Sequence, residues 1–278
     1  MPRPARPEAR FGLYVIGDEI LSGKRADRHL AKVILILAQR GLALCWARFL
    51  PDERDHIAGE LRRSFAGSDI VFSCGGIGAT PDDHTRQAAA AALGVEIELH
   101  PQARSAILAA IERRGVRDPA SPEALRALRM GEFPRGARLI DNPYNGIPGF
   151  SVGHHHFVPG FPVMAWPMIE AVLDADYHAH FHERAASERS MLLFHTNESS
   201  IIPFMLEVEE RFPGMRTFSL PSVGEDENGR PVRRHIELGV KGAREQIEAA
   251  WSLLRERVSN AGMEHEVLAP GTGPRPPG

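Results

Sequence analysis

The segment with the clearest chemical potential runs from Val71 to Thr85, with the sequence VFSCGGIGATPDDHT. Its apolar start is typical of a buried strand, Gly75, Gly76 and Gly78 follow, and a helix is predicted from Pro81 to Leu93. Glycines let backbone amides approach an anion closely, and the amino end of a helix attracts negative charge. The segment therefore predicts a turn that binds phosphate.

A purely structural interpretation of this segment carries similar weight. Thr80 at the N-cap, Pro81 at the first helical position and Asp83 three residues after Thr80 form a good helix start, so Asp82 and Asp83 could serve only as caps. The segment lacks the third glycine of a GxGxxG motif and the lysine of a P-loop. Both interpretations stay open on these residues alone.

Acidic residues follow three successive predicted strands. Asp18 and Glu19 come after Gly17 at the end of the first strand, Asp52 follows the second, and Asp83 follows the third. Ligands of α/β sheets bind at the carboxyl ends of the strands, where these side chains would meet. Acidic groups beside an anion site suggest a divalent cation or an acid–base role. Each one alone is more simply a turn residue, so the hypothesis depends on their occurring together.

Two other motifs have weaker chemical potential. The rigid loop Pro159-Gly160-Phe161-Pro162 follows a short predicted strand and either walls a pocket at the same sheet edge or forms a plain turn. Adjacent residues of an extended segment point to opposite sides, so three histidines in a row cannot all easily bind one metal ion. We therefore predict that His154-His155-His156 is a polar surface stretch.

Alternating strands and helices are expected to position these residues. The predicted strands are Phe11–Ile16, Leu42–Phe49, Asp69–Ser73 and His156–Val158, and the predicted helices are Asp27–Arg40, Arg54–Ala66, Pro81–Leu93, Pro101–Arg114 and Met164–His182. Such alternation implies a mostly parallel sheet covered by helices on both faces. We predict an α/β domain over residues 11–182.

A second, smaller domain is predicted after the charged stretch Glu183–Arg189, which lacks bulky apolar residues. Its predicted elements are strand Ser190–His195, helix Glu198–Phe212, strands Arg216–Leu220 and Val232–Val240, helix Arg244–Ala261 and strand Glu264–Leu268. This order predicts an α+β domain over residues 190–268. Residues 1–10 and 269–278 are rich in proline and are predicted to be a disordered arm and tail.

Composition limits the class of protein. A formal net charge of −3 over 278 residues argues against broad, non-specific nucleic-acid binding, which needs a basic surface. No apolar stretch is long enough for a transmembrane helix, and the first ten residues lack the apolar centre of a signal peptide. Cys45 and Cys74 both lie in apolar runs, and two buried thiols suit a reducing compartment. These features predict a cytoplasmic protein.

Taken together and in order, five segments resemble the molybdopterin-binding (MoCF biosynthesis) domain family, most closely its CinA-like, competence/damage-inducible branch. They are Ile16–Gly23, Pro51-Asp52, Gly75–Thr85, Asn142-Pro143 with Gly146–Phe150, and Pro159–Pro162. Departures occur at Asp27-Arg28-His29, where family members often carry Asn-Thr-Asn, and at Ala79 and Phe161, where they carry proline. Residues 190–268 resemble the KH-like domain that follows in that branch. We expect that these 278 residues do not include the C-terminal amidohydrolase domain of longer relatives.

The resemblance implies a three-layer α/β fold that binds molybdopterin or an adenine nucleotide through its phosphate, and it implies a homo-oligomer. In relatives that adenylylate molybdopterin, an aspartate matching Asp83 and acidic residues matching Asp18 and Asp52 lie at the site, so these three are the expected catalytic residues. Asp18 and Asp83 are the expected ligands of a divalent metal such as Mg²⁺ or Co²⁺. The expected ligand-binding residues are Gly17, Gly75, Gly76, Gly78, Thr80, Thr85, Pro159 and Gly160.

Three hypotheses follow. The first is a metal-dependent pyrophosphatase that acts on dinucleotides of the ADP-ribose type. The second is a protein that binds molybdopterin without turnover or serves in cofactor assembly. The third is a nucleic-acid-associated protein, which is the weakest because residues 190–268 contain no GXXG loop.

Overall fold

The computed structural model describes residues 9–182, 187–222, 224–225 and 230–269. The chain divides into two compact units, Met1–Phe181 and His182–Gly278. Most of the predicted disordered arm and tail, at residues 1–8 and 270–278, lies outside the described residues. The same holds for residues 183–186 of the predicted boundary.

The first unit alternates strands and helices, as the sequence pattern predicts. Its strands are β1 (Phe11–Ile16), β2 (Leu44–Leu50), β3 (Ile70–Cys74), β4 (Ile97–Leu99), β5 (Glu132–Pro134), β6 (Arg138–Ile140), β7 (Gly149–Val152) and β8 (His155–Val158). Its helices are α1 (Asp18–Leu21), α2 (His29–Gln39), α3 (Arg54–Phe65), α4 (Thr85–Leu93), α5 (Pro101–Glu112), α6 (Pro122–Leu128) and α7 (Pro162–Asp176), with 3₁₀ turns at Arg129–Gly131 and His178–His180.

A six-stranded sheet in the order β2-β1-β3-β8-β7-β6 forms the centre of this unit. β2, β1, β3 and β8 are parallel, and β7 and β6 add an antiparallel edge. β4 and β5 form a separate two-stranded ribbon. The prediction of an α/β fold with a mostly parallel sheet is confirmed.

The sheet lies between two helical layers, because strands of a parallel sheet are covered on both faces. Along β1, Tyr14 and Ile16 pack into one core with α3, α4 and α5. Leu13 and Val15, which alternate with them, pack into a second core with α2 and α7. The layers hold the carboxyl ends of the parallel strands at one edge.

The helix after the glycine segment begins at Thr85, four residues later than predicted. Thr80 is therefore not its N-cap, and Pro81 is not its first residue. The N–H and the hydroxyl of Thr80 both donate to the Asp83 carboxylate. This bonding folds residues 80–83 into a separate turn before the helix.

The last helix of the unit also differs from its predicted bounds. α7 begins at Pro162 rather than Met164, so Pro167 lies inside the helix and not in its first turn. It ends at Asp176, well before the predicted end at His182.

Two predictions of exposure were wrong. His155 and His156 are buried, while His154 is exposed, because β8 is an inner strand with helical layers on both faces. Cys45 is exposed, because β2 is the edge strand of the sheet, whereas Cys74 is buried as predicted.

The second unit is an α+β layer. Its elements are β9 (Ser187–Leu193), α8 (Glu198–Arg211), β10 (Arg216–Pro221), β11 (Ile236–Gly242), α9 (Arg244–Asn260) and β12 (His265–Val267). The strands form an antiparallel sheet in the order β10-β11-β9-β12. Met191, Leu238 and Trp251 lie in the core between this sheet and the helices.

Across the described residues, no helix combines the length and the apolar character needed to cross a bilayer.

Candidate ligand-binding cleft

A cleft of about 150 Å³ lies at the carboxyl ends of the parallel strands. Segments that are far apart in the sequence meet there, after β1, β2, β3 and β8. The lining includes Gly17, Glu19, Arg25, Asp52, Gly75, Gly76, Asp82, Asp83, Gly160 and Phe161. The sheet therefore brings together most of the residues that were predicted from the sequence to form the site.

Two positions of the glycine turn, Gly75 and Gly76, have no room for a side chain. Gly75 has φ +110°, and a Cβ there would lie 2.2 Å from the Ile16 carbonyl oxygen. Gly76 has φ +68°, and its Cβ would lie 2.2 Å from the hydroxyl of Thr85. The Gly75 N–H donates to the Val158 carbonyl at 3.1 Å. Gly76 therefore supplies the amide of this pair that a ligand could use.

Thr85 closes the glycine turn and does not line the cleft. Its side chain is fully buried, its hydroxyl donates to the Gly75 carbonyl at 3.0 Å, and its N–H donates to the Gly76 carbonyl at 3.0 Å. Thr85 was predicted to bind the ligand, but it stabilises the glycine turn from the buried side instead.

Asp83 lines the cleft and is fixed by its neighbours. Its carboxylate accepts from Thr80, and a Cβ on Gly78 would lie 2.5 Å from one of its oxygens. Gly78 is therefore needed for the close approach of Asp83, and neither Gly78 nor Thr80 is part of the lining.

Asp18 and Asp52 hold the ends of β1 and β2 together. The Asp18 N–H donates to the Asp52 carboxylate at 2.9 Å, and the Asp52 N–H donates to the Asp18 carboxylate at 3.2 Å. Burial raises the pKa of Asp52, and the nearby charges of Asp18, Glu19 and Asp82 raise it further.

A second concavity of about 630 Å³ adjoins the cleft and shares Glu19, Asp52 and Asp82 with it. Asp18 lines this concavity rather than the cleft itself, together with Lys24. A ligand with a phosphate in the cleft has room for a ring beside it.

The prediction that Asp18 and Asp83 hold a divalent cation is not supported. In the described part of the chain, no group of three or more His, Cys, Asp or Glu side chains is placed to bind a metal ion. The two carboxylates instead accept hydrogen bonds from Asp52 and Thr80 respectively. Within the described residues, the carboxylates at the cleft therefore do not form a metal site.

Gly160 lines the cleft, whereas Pro159 does not. A Cβ on Gly160 would lie 3.4 Å from the Gly75 Cα, so the two glycine loops are in close contact. The ring of His29, which is buried, donates from Nε2 to the Gly160 carbonyl at 2.9 Å. His29 therefore anchors this loop from α2.

Sequence reasoning missed Arg86 and Arg25. The Arg86 guanidinium is buried and donates to the Gly78 carbonyl at 2.6 Å and to the Arg129 carbonyl, so it supports the glycine turn from below. Burial lowers its pKa. Arg25 supplies a cation to the cleft lining. The arginine after Thr85 could have been noticed as a charge on an otherwise apolar helix face, whereas nothing in the sequence distinguishes Arg25.

Comparison with known proteins agrees with this architecture. The family model described as a probable molybdopterin binding domain matches residues 12–178. A protein from Caldivirga maquilingensis is 30% identical over 204 residues, which cover 72% of this chain and 76% of that protein. A CinA-like protein from Citrifermentans bemidjiense is 33% identical over 197 residues, which cover 69% of this chain and 46% of that protein. This chain thus matches less than half the length of the CinA-like relative.

Among solved structures, the protein CinA from Thermoplasma acidophilum is 26% identical with a TM-score of 0.53. The match covers 60% of this chain and 97% of that one. The predicted resemblance to the CinA-like branch is confirmed. Because the family model spans more than half of the 278 residues, the chain belongs to the probable molybdopterin binding domain family.

Proposed function

We propose that the first unit binds a pterin that carries a phosphate, of the molybdopterin type, in the cleft and the concavity beside it. The observation that carries this proposal is the meeting of Gly17, Asp52, Gly76, Asp83 and Gly160 at one sheet edge. A ligand at the carboxyl ends of parallel strands is the usual arrangement in such folds.

The size of the cleft fits the phosphate end of the ligand. Its volume of about 150 Å³ lies below the roughly 300–1,000 Å³ that whole small molecules occupy. The amide of Gly76 supplies a donor, and the Arg25 guanidinium supplies donors and a positive charge.

The acidic lining supports a pterin as the ring. Ionised carboxylates only accept hydrogen bonds, and the amino group and ring N–H of a pterin are donors. Glu19, Asp52 and Asp82 border the concavity where the ring would lie. Adenine offers a single amino group, so the acidic wall favours the pterin over the nucleotide.

Calorimetric titration tests this proposal, with a stable pterin phosphate ester as the probe. The matched ligands are the same pterin without phosphate, inorganic phosphate and AMP. We expect the pterin phosphate to bind at least tenfold more tightly than each of them. Equal binding of AMP that persists in the Arg28→Gln, Lys32→Gln double variant, whose changes lie outside the cleft lining, would redirect the proposal to nucleotides. No binding of any probe at millimolar concentration would refute it.

A second candidate is hydrolysis of a dinucleotide of the ADP-ribose type. The specific observation in its favour is the raised pKa of Asp52, which lies in the cleft lining and is therefore a candidate base. In this reaction, water attacks a phosphorus atom of the anhydride, the bridging P–O bond breaks, and Asp52 takes the proton from the water.

Product analysis distinguishes the two candidates. ADP-ribose, FAD and NAD are incubated with the protein, with and without Mg²⁺ or Co²⁺, beside the Asp83→Ala variant. AMP release that is lost in the variant favours hydrolysis. If a well-folded protein releases no AMP, hydrolysis of these substrates is excluded and pterin binding without turnover is favoured.

We further propose that the protein is a cytoplasmic homo-oligomer and that its second unit, over residues 190–268, is KH-like. Light scattering at micromolar concentration checks the oligomer, since a mass of 30.6 kDa corresponds to a monomer.

A further inference from the structure

A second groove of the first unit lies between the beginning of α2 and the first turns of α7. It encloses about 450 Å³, which is within the range of small-molecule sites. Its lining includes Arg28, Lys32, Pro162, Val163, Trp166 and Glu170, none of which lines the cleft at the strand ends.

Trp166 presents an apolar surface to this groove. Its Nε1 atom is buried and has no hydrogen-bond partner, although the residue as a whole is only partly buried. The exposed part of the side chain must therefore be ring carbon atoms. With Pro162 and Val163 it forms a wall on which a flat ring can stack.

Two cations border the same ring. The Arg28 guanidinium carbon lies 5.9 Å and the Lys32 ammonium 5.5 Å from the centre of the Trp166 ring. Both distances are close to the limit of about 6 Å for a cation–π contact, so the ring is loosely covered. In the described part of the chain, neither cation makes a hydrogen bond or an ion pair, and Lys32 is half-buried.

We propose that this groove is a second ligand site, for a flat aromatic ring that carries an anionic group, such as a nucleoside monophosphate. The ring stacks on Trp166, and the anion takes Arg28 and Lys32 as its partners. An anion there gains two charge-assisted hydrogen bonds from side chains that have no carboxylate partner. The site does not depend on the cleft or on its ligand.

Nuclear magnetic resonance of the indole N–H groups tests the proposal. The chain has three tryptophans, and the Trp166→Phe variant assigns the signal of Trp166. AMP is the probe, with adenosine and inorganic phosphate as ligands that lack the anion or the ring. We expect AMP to shift the Trp166 signal and to bind at least tenfold more tightly than either fragment. Arg28→Gln and Lys32→Gln should each weaken AMP binding several-fold.

Arg104→Gln on α5 is the matched control, because Arg104 is an exposed arginine far from the groove lining. No shift at millimolar AMP overturns the proposal. It is also overturned if the shift persists in the Arg28→Gln, Lys32→Gln double variant but disappears in Gly76→Ala, since AMP would then occupy the cleft.

Discussion

β3 and β8 are neighbouring parallel strands, and the polar residues associated with them differ in their exposure to solvent. The polar residues that follow β3, Asp82 and Asp83, line an open cleft. Those of β8 lie within the strand, where His155 pairs with Val71 and His156 with Phe72. Both histidines are buried.

The buried histidines are neutral members of the core. Burial lowers the pKa of His155 to about 4 and that of His156 to about 3. His156 forms hydrogen bonds of 2.8 Å with the hydroxyls of Ser151 and Tyr177. The comparison teaches that a polar residue can bind a ligand where its strand ends, whereas a few residues earlier it becomes part of the core.

The largest effect is expected at the glycine turn. Gly76 and Gly94 share φ +68°, but a Cβ on Gly76 would lie 2.2 Å from the Thr85 hydroxyl, while nothing lies within 4 Å of one on Gly94. Gly94→Ala should lower the free energy of unfolding by about 1 kcal/mol, the cost of a left-handed alanine. Gly76→Ala should lower it by about 3 kcal/mol or more, because the turn must also move.

Urea denaturation of both variants checks this difference, and the same titration with pterin phosphate should show binding only for Gly94→Ala. Equal stability losses would mean that the turn adapts and that its close packing is not what selects glycine.

The next largest effect is expected in β8. His156→Ala should lower the free energy of unfolding by about 3 kcal/mol, because it leaves a cavity and two buried hydroxyls without their partner. His154→Ala, at the exposed neighbour, should change it by less than about 0.5 kcal/mol. Similar values for the two variants would contradict the buried network.

Acid should destabilise the protein through the same histidines. In the unfolded chain their pKa lies near 6.5, and in the folded chain it is lower. Below pH 6.5 the unfolded state therefore binds more protons, so the free energy of unfolding falls as the pH falls. The slope is up to about 1.4 kcal/mol per pH unit for each histidine.

Denaturation at pH 7.5, 6.5 and 5.5 measures this slope above the range in which most carboxylates titrate. His156→Ala should remove about half of it. A slope unchanged by the substitution would place the proton uptake elsewhere.

Much of the fold could be predicted from the sequence because it depends on local pattern. The bounds of β1 were predicted to the residue, and glycines at positive φ marked the turn after β3. The start of α4 could not be predicted, because the Thr80–Asp83 hydrogen bonds imitate a helix cap in sequence. The burial of His156 was missed because its partner Tyr177 lies 21 residues away.

The candidate site was predictable to the extent that its residues lie at strand ends. Asp52 and Gly76 were identified in this way and line the cleft. Arg86 was missed because its carbonyl partners include that of Arg129, which only the tertiary fold brings near. The metal prediction counted carboxylates, but their hydrogen bonds to the backbone depend on loop geometry that the sequence does not reveal.

The smallest effect is expected from a substitution at Asp52, which should change the affinities for two ligands in opposite directions. Its raised pKa reflects burial and repulsion by Asp18, Glu19 and Asp82, so an incoming anion meets the same repulsion. Asp52→Asn should therefore raise the affinity for inorganic phosphate about two- to fivefold, since solvent screens a single partly exposed charge. Lowering the pH towards the pKa of Asp52 should raise that affinity in the wild type and less so in the variant.

For the pterin phosphate, Asp52→Asn should instead lower the affinity, because the asparagine removes a carboxylate that accepts from the ring. Asp55→Asn, on the exposed face of α3, should change neither affinity. Calorimetry with both probes decides the matter: if Asp52→Asn strengthens both, the carboxylate only repels, and the ring must lie elsewhere.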